Sequence, residues 1–159
     1  MKQIWAPWRA EYIEAEKDGK CVFCTAPLKE PLEGLVLYSG KISSVILNKF
    51  PYNSGHLLIS PIRHTALLEE LTPEESADMF RLMAHAVKVL KEVFRPDGFN
   101  IGMNLGRAAG AGIDEHLHMH IVPRWNGDLN FMPVLSDVKV IPEHLHKTLE
   151  KLRPRFSDL

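Results

Sequence analysis

Cysteine is scarce in this sequence, and so is any long apolar run. Only two cysteines occur in 159 residues, Cys21 and Cys24, whereas a small secreted scaffold held together by disulfides needs more of them. No apolar run approaches the ~20 residues that span a bilayer, and residues 1–9, MKQIWAPWR, lack the apolar core of a signal peptide. These absences disfavour a secreted protein and a membrane-spanning protein.

An excess of charge of either sign is absent as well. Nineteen basic and 20 acidic side chains leave a formal net charge of -1, whereas domains that bind nucleic acid carry a basic face. The composition, with 45% hydrophobic and 25% charged residues, is that of an ordinary globular protein. We therefore expect a cytoplasmic protein that has no nucleic-acid partner and no membrane partner.

Proline and glycine are spread evenly along the chain, so nothing marks a linker or a domain boundary. We expect a single domain over residues 1–159, with the Cys-x-x-Cys segment as an N-terminal extension. At this length, folding buries about 70% of the surface that the unfolded chain exposes.

One long helix is the clearest local prediction. Thr72 can cap it, Pro73 suits its first position, and Glu75 completes a capping box. Apolar residues then recur at helical spacing until Arg95 and the proline after it end the pattern; they are Met79, Leu82, Met83, Ala86, Leu90 and Val93. A second helix is predicted from about residue 142 to residue 152.

Five short apolar runs predict β-strands. They lie at residues 35–38, 44–47, 56–60, 99–104 and 117–122, with a hairpin connection at residues 53–55. Strands on both sides of one long helix indicate an α+β fold. In this fold an antiparallel sheet is covered on one side by the long helix and the C-terminal helix.

Three of the eight histidines alternate along the last predicted strand, at His116, His118 and His120. Because a strand has a period of two, their imidazoles share one face and the apolar residues between them point to the other. Neighbouring histidine Cα atoms then lie roughly 6.6 Å apart, so all three can line one anion. Histidine serves as nucleophile, acid or metal ligand. Incidental histidines on a solvated face, or a His-x-His metal site, are the alternatives.

A loop rich in glycine and alanine, residues 104–112, leads directly into the three histidines. Small residues let backbone N–H groups approach a phosphate closely, and Arg107 adds a cation to the loop. The loop and the histidines together predict a phosphate site with a nucleophile.

This combination resembles the histidine triad (HIT) family of nucleotide hydrolases and transferases. The resemblance covers about residues 36–123, and the His-x-His-x-His pattern, with Asn-x-Gly and the loop before it, carries it. Residues 5–9, the Cys-x-x-Cys and residues 123–131 look like the branch that phosphorolyses diadenosine tetraphosphate. The resemblance implies a HIT-like domain, a nucleotide substrate and a homodimer.

The resemblance also implies a role for each matching residue. His118 would attack the α-phosphorus and carry a nucleotidyl group, and His120 would contact the same phosphate and assist the leaving group. The other residues implied at the site are His116 in the triad, Asn48 and His56 on the ribose and phosphate side, Asn104 near the nucleophile, and Arg107 and Gly110 in the loop. Phosphate as acceptor would give ATP and ADP from diadenosine tetraphosphate, and water remains open as the alternative acceptor.

One position departs from the family pattern. Many members carry a serine or threonine just before the triad, and neither residue occurs between Asn104 and His116. Stabilisation of the leaving group would then fall to backbone N–H groups, Arg107 or His120.

The Cys-x-x-Cys pattern alone is compatible with a redox pair, a zinc site or chance. A structural zinc needs two further ligands, for which His64 and His116 are the candidates. Family members with this pattern are similar in binding zinc through two cysteines and two histidines, which implies zinc on Cys21, Cys24, His64 and His116. If His116 binds zinc, only His118 and His120 are left for the chemistry.

Two rival functions remain open on the sequence alone. A nucleoside phosphoramidate hydrolase of the same family would use His118 identically but cleave a P–N bond with water. A zinc-stabilised, non-catalytic nucleotide-binding protein would keep the fold and lose nothing when His118 is replaced.

Overall fold

The computed structural model describes residues 20–128, 141, 143–157 and 159 of the chain. Within these residues the helices are α1 (Val22–Thr25), α2 (Pro31–Gly34), α3 (Pro73–Phe94) and α4 (Leu145–Leu152). The strands are β1 (Val36–Ser39), β2 (Ser43–Leu47), β3 (Leu57–Pro61), β4 (Gly98–Met103) and β5 (Met119–Arg124). Residues 5–9 and 129–131, which carry part of the family resemblance, lie outside the described residues.

The five strands form one sheet in the order β1-β2-β3-β5-β4, and every neighbouring pair is antiparallel. A hydrogen bond from the Asn48 N–H to the His56 carbonyl (3.0 Å) closes the connection between β2 and β3. The long connection through α3 then brings β4 to the edge, with β5 between β3 and β4. The predicted α+β fold with an antiparallel sheet is confirmed.

Helix α3 begins at the predicted residue because its N-terminus is capped as the sequence indicates. The Thr72 hydroxyl accepts a hydrogen bond from the Glu75 N–H (3.1 Å), and the Glu75 carboxylate accepts one from the Thr72 N–H (2.9 Å). Arg95 ends the helix in a left-handed conformation with φ 49°. The predicted apolar stripe is buried against the sheet at Met79, Leu82, Ala86 and Leu90.

The two faces of the sheet are covered differently. The face against α3 and α4, here named the helix face, contributes Val45, Leu47, Leu57, Ile59, Met119 and Ile121 to the main core. The opposite face, named the cleft face, carries a smaller cluster made of Phe23, Ala26, Val36, Ile46 and Leu58. Alternation along β2 and β3 divides their residues in this way, since successive side chains of a strand point to opposite faces.

The last strand starts later than the sequence predicts. The predicted strand covers residues 117–122, whereas β5 runs from Met119 to Arg124. The Leu117 N–H donates to the Thr65 carbonyl (2.7 Å) in the loop after β3, so the chain pairs outside the sheet there. His116 and His118 therefore precede the strand, and His120 lies within it.

The other strands begin and end within one residue of the predicted positions. The C-terminal helix α4 begins at Leu145 rather than near residue 142, because His144 caps it by accepting a hydrogen bond from the His146 N–H (3.3 Å). In the described part of the chain, no helix combines the length and apolar character needed to cross a membrane.

Candidate active site and metal cluster

A cleft of about 500 Å³ opens on the cleft face of the sheet. Its apolar wall includes Val22, Phe23, Leu35, Ile46, Leu58 and Ile113, and its polar wall includes Asn48, His118 and His120. An apolar cleft with a few convergent polar groups is the usual form of a small-molecule site. The cleft is therefore the candidate active site.

His118 is the buried imidazole of this cleft, with 6% of its surface exposed. Its Nδ1 lies 2.8 Å from the His116 carbonyl oxygen, which can only accept a hydrogen bond. Nδ1 therefore carries the proton, and the lone pair is on Nε2. Burial lowers the pKa of His118 below its ordinary value, so the ring is neutral at pH 7 and Nε2 is available as a nucleophile.

A chain of hydrogen bonds fixes the tautomer of His120. The backbone N–H of Tyr52 (3.1 Å) and the Asn48 side-chain amide (3.2 Å) both donate to Nδ1 of His56. The Asn48 amide is oriented for this because its Oδ1 accepts the N–H of Phe50 (2.9 Å). Nε2 of His56 must then carry the proton, and it donates to Nδ1 of His120 (2.9 Å).

It follows that Nε2 of His120 carries its proton as a donor. This atom is buried and has no hydrogen-bond partner within the described residues, while the residue lines the cleft. Burial, with repulsion from His118, lowers the pKa of His120 to about 4. The ring is therefore a neutral N–H donor near pH 7, and the rings of His118 and His120 are 4.9 Å apart between centroids.

Cys21, Cys24, His64 and His116 converge beside the cleft, with their four ligand atoms within 4.8 Å of one another. Nδ1 of His116 lies 3.2 Å from the Cys21 sulfur and 3.5 Å from the Cys24 sulfur, and Nδ1 of His64 lies 3.3 Å from the Cys24 sulfur. A tetrahedral zinc site requires separations of about 3.3–3.8 Å between ligand atoms. The four residues can therefore hold a metal ion.

The environment of the cluster also favours a cation. Nε2 of His116 donates to the Pro61 carbonyl (2.9 Å), which leaves Nδ1 of the ring as a lone-pair donor toward the cysteines. Burial lowers the pKa of His116, so the imidazole is held in its neutral, ligating form. Burial and the neighbouring Cys21 thiol raise the pKa of Cys24, and a bound cation would remove that penalty by favouring the thiolate.

The predicted site residues divide into several groups. His118 and His120 line the cleft, whereas His116 belongs to the group of two cysteines and two histidines that can hold a metal ion. Asn48 lines the cleft, and His56 is fully buried behind His120.

The glycine- and alanine-rich loop meets the cleft at a different point from the one expected. Asn104, Arg107 and Gly110 are not on its wall, which is instead reached by Gly112 and Ile113. Arg107 pairs with Asp114 (2.6 Å) on the surface, and Gly110 ends a 3-10 turn with φ 84°, a conformation that favours glycine.

Sequence reasoning missed two aromatic contacts. Phe23 packs on His118, with ring centroids 4.6 Å apart and planes inclined by 29°. Tyr52 packs on His56, with centroids 4.9 Å apart. Phe23 lies between the two cysteines, so its place within the Cys-x-x-Cys was the available signal, but the contact with His118 spans most of the chain.

Comparison with known proteins gives a consistent result. The HIT domain family profile matches residues 30–127. The chain is 41% identical over 166 residues to the AP-4-A phosphorylase of Mycobacterium tuberculosis, with 99% of this chain and 85% of that protein covered. It is 29% identical over 137 residues to the adenosine 5'-monophosphoramidase hnt1 of Schizosaccharomyces pombe, with coverages of 86% and 98%. The crystal structure of a zinc-bound histidine triad family protein from Mycobacterium smegmatis matches with a TM-score of 0.68 and 28% identity, covering 89% of this chain and 96% of that one.

Proposed function

The chain belongs to the HIT domain family, and on this premise we propose that it transfers a nucleotidyl group from a dinucleoside polyphosphate through an intermediate on His118. The substrate is diadenosine tetraphosphate, and phosphate is the acceptor, so the products are ATP and ADP. The observation that carries the proposal is the fixed tautomer of His118, whose Nε2 lone pair is available in a cleft that also holds a neutral donor on His120.

In the first step, Nε2 of His118 attacks the α-phosphorus and ATP leaves with the electrons of the broken P–O bond. A neutral imidazole approaches the anionic phosphate without the repulsion that a carboxylate or thiolate meets. The imidazole gains positive charge as the N–P bond forms, and the Nδ1–H bond to the His116 carbonyl stabilises that charge.

His120 assists the same step. Its Nε2–H is buried and has no partner among the described residues, and the residue lines the cleft beside His118. In this position it donates a hydrogen bond to a phosphate oxygen as negative charge develops there. Asn48 also lines the cleft, and the role proposed for it is contact with the ribose or phosphate side of the nucleotide.

In the second step, an oxygen of phosphate attacks the phosphorus of the intermediate, so ADP forms and His118 is released. Phosphate is favoured over water as acceptor because the 41% identical relative is named a phosphorylase and aligns with 99% of this chain. The roles expected of Asn104, Arg107 and Gly110 toward the polyphosphate remain part of the proposal, although these residues are off the cleft wall in the single chain.

Zinc is proposed as the ion held by Cys21, Cys24, His64 and His116. The donor set suits it, and a structurally similar family member is zinc-bound. The ion supplies structural support when bound, and the four residues hold the segment immediately before His118 against the loop after β3. His116 then acts through its carbonyl and its ligand nitrogen, and the chemistry is left to His118 and His120.

We also propose a cytoplasmic homodimer. Strand β4 is an edge of the sheet, and its outer side has no strand partner among the described residues. Ile101 on this strand and Leu105 just after it are 42% and 48% exposed. An apolar edge strand is protected from aggregation when a second copy covers it.

Product analysis tests the proposal. The purified protein and a His118→Ala variant are incubated with diadenosine tetraphosphate, with and without phosphate, and the nucleotides are separated by chromatography. We expect ATP and ADP only when phosphate is present, and a loss of several orders of magnitude in rate in the variant. ATP with AMP would identify a hydrolase and contradict the choice of acceptor.

A parallel assay with adenosine 5'-phosphoramidate addresses the second candidate, which the similarity to the phosphoramidase favours. Turnover of this compound together with inactivity toward diadenosine tetraphosphate would replace the proposed substrate. Nucleotide binding without turnover of either compound would support the non-catalytic alternative.

A further inference from the structure

We propose that Phe23 is a positioning residue that couples the metal cluster to the imidazole of His118 and thereby controls the rate of nucleotidyl transfer. The inference rests on the proposed function, because it concerns the nucleophile of that reaction. Nothing in the residue pattern of the triad includes Phe23, which lies 95 positions before His118 in the sequence.

The contacts of Phe23 connect the two sites directly. Its ring is 1% exposed and packs at 4.6 Å and 29° on His118, and at 5.2 Å and 48° on His116. One side chain therefore touches a cluster histidine and the proposed nucleophile at the same time.

The hydrogen bond from His118 to the His116 carbonyl fixes the tautomer of His118, but a single hydrogen bond does not by itself define the inclination of the ring plane. The face of Phe23 closes one side of the imidazole, and such stacked rings have a preferred separation and inclination. The direction of the Nε2 lone pair is therefore set by the hydrogen bond and the aromatic contact together.

The position of Phe23 in turn depends on the cluster. Phe23 lies in α1, which has four residues and is too short to be stable alone. Cys21 and Cys24 lie on either side of Phe23 in the sequence and approach His64 and His116. Among the described residues, the apolar cluster around Phe23 has four other buried members, Ala26, Val36, Ile46 and Leu58. Closing the cluster around an ion therefore holds the ring against His118.

The first experiment replaces the ring without removing its apolar bulk. Phe23→Leu is compared with Phe156→Leu, a matched control, because Phe156 is also 1% exposed but lies in the main core on the helix face. We expect both variants to lose similar thermal stability. For Phe23→Leu we expect kcat to fall about 10–100-fold, the scale of a misplaced reacting group, with KM changed less than about threefold.

The outcomes separate the inference from the proposed function. Equal kcat values in the two variants, or a rise in KM alone for Phe23→Leu, would overturn the positioning role and leave Phe23 as a wall of the cleft. Inactivity of the unaltered protein toward the nucleotide would instead refute the proposed function. If Phe23→Leu does not fold, Phe23→Met, whose flexible side chain refills the space, is measured by the same criteria.

A spectroscopic experiment tests the coupling without turnover. Protons of an imidazole that lies over an aromatic face resonate upfield in NMR spectra, and we expect this of His118. The resonances move downfield in Phe23→Leu, and they move in the same direction when a chelator removes the metal from the unaltered protein. Resonances that are unchanged by the chelator would overturn the link between the cluster and His118.

Discussion

The two faces of the sheet are stabilised by different means. Among the described residues, sixteen buried apolar residues form the main core, to which the helix face belongs, whereas the corresponding cluster on the cleft face has five. The cleft face buries polar groups instead, including His56, His116 and His118, and each of these makes directed hydrogen bonds. Apolar burial is non-directional, whereas hydrogen bonds are directional and fix position and tautomer. The candidate active site is therefore on the face with the smaller apolar cluster.

The largest effect that we expect to be confined to the cleft face follows from loss of a proposed metal ligand. In Cys21→Ser, metal content per chain falls to near zero, and nucleotide turnover falls at least about tenfold because the segment before His118 loses its anchor. The helical circular dichroism signal from α3 remains, since none of the four residues of the cluster lies in that helix. Metal analysis, turnover and circular dichroism measure these effects.

His146→Ala is the control for this prediction, because His146 is an exposed histidine outside the cluster. It should keep the metal and the activity. Full metal content in Cys21→Ser would contradict the assignment of the cluster, and unchanged turnover without metal would contradict its role in holding the cleft face.

Replacement of His56, which donates a hydrogen bond to His120, is expected to have an intermediate effect on kcat. In His56→Phe, Nδ1 of His120 loses the N–H that fixes its tautomer, so a fraction of the rings no longer presents Nε2–H to the substrate. We expect kcat to fall about tenfold, as when a partner of a functional histidine is removed. Steady-state kinetics and thermal unfolding measure the effect on rate and stability.

His85→Phe provides the comparison on the helix face. His85 is a half-buried histidine of α3 whose Nε2 hydrogen-bonds the Arg155 carbonyl (2.7 Å), so this variant also loses one imidazole hydrogen bond. Its kcat should be unchanged. A similar fall in kcat in both variants would show that the effect arises from lost stability and not from the tautomer of His120.

Truncation of the main core should have the smallest effect on turnover. Leu82→Ala removes a fully buried side chain of α3 and costs about 2–5 kcal/mol of unfolding free energy. Below its melting temperature, kcat and KM should be unchanged. Leu58→Ala on the cleft face should raise KM, because Leu58 lines the cleft. Altered kinetics in Leu82→Ala with normal kinetics in Leu58→Ala would contradict the claim that turnover depends on the cleft face more than on the helix face.

Sequence reasoning was most successful where structure depends on neighbouring residues. The capping box of Thr72 and Glu75 and the apolar stripe after it are local, and α3 follows them closely. The start of β5 was wrong by two residues because the Leu117 N–H pairs with Thr65, 52 positions earlier. A contact of that range leaves no periodic signal in the sequence.

The same contrast between local signals and long-range contacts holds at the candidate site. The alternating histidines predicted that His118 and His120 lie together, and the structure places both on the cleft wall. The sequence did not reveal that Arg107 pairs with Asp114 at the surface, since any of several carboxylates could have been its partner. The contact of Phe23 with His118 was also missed, because it depends on how a four-residue helix docks against the distant segment that precedes β5.

Detection of a covalent intermediate is the most direct test of nucleophilic catalysis by His118. The protein is mixed with diadenosine tetraphosphate in the absence of phosphate, quenched, digested and examined by mass spectrometry. We predict one adenylyl group on His118, which disappears with formation of ADP when phosphate is added before the quench. An adduct on another residue, or turnover to ATP and ADP with no adduct in any rapid-quench sample, would contradict nucleophilic catalysis by His118.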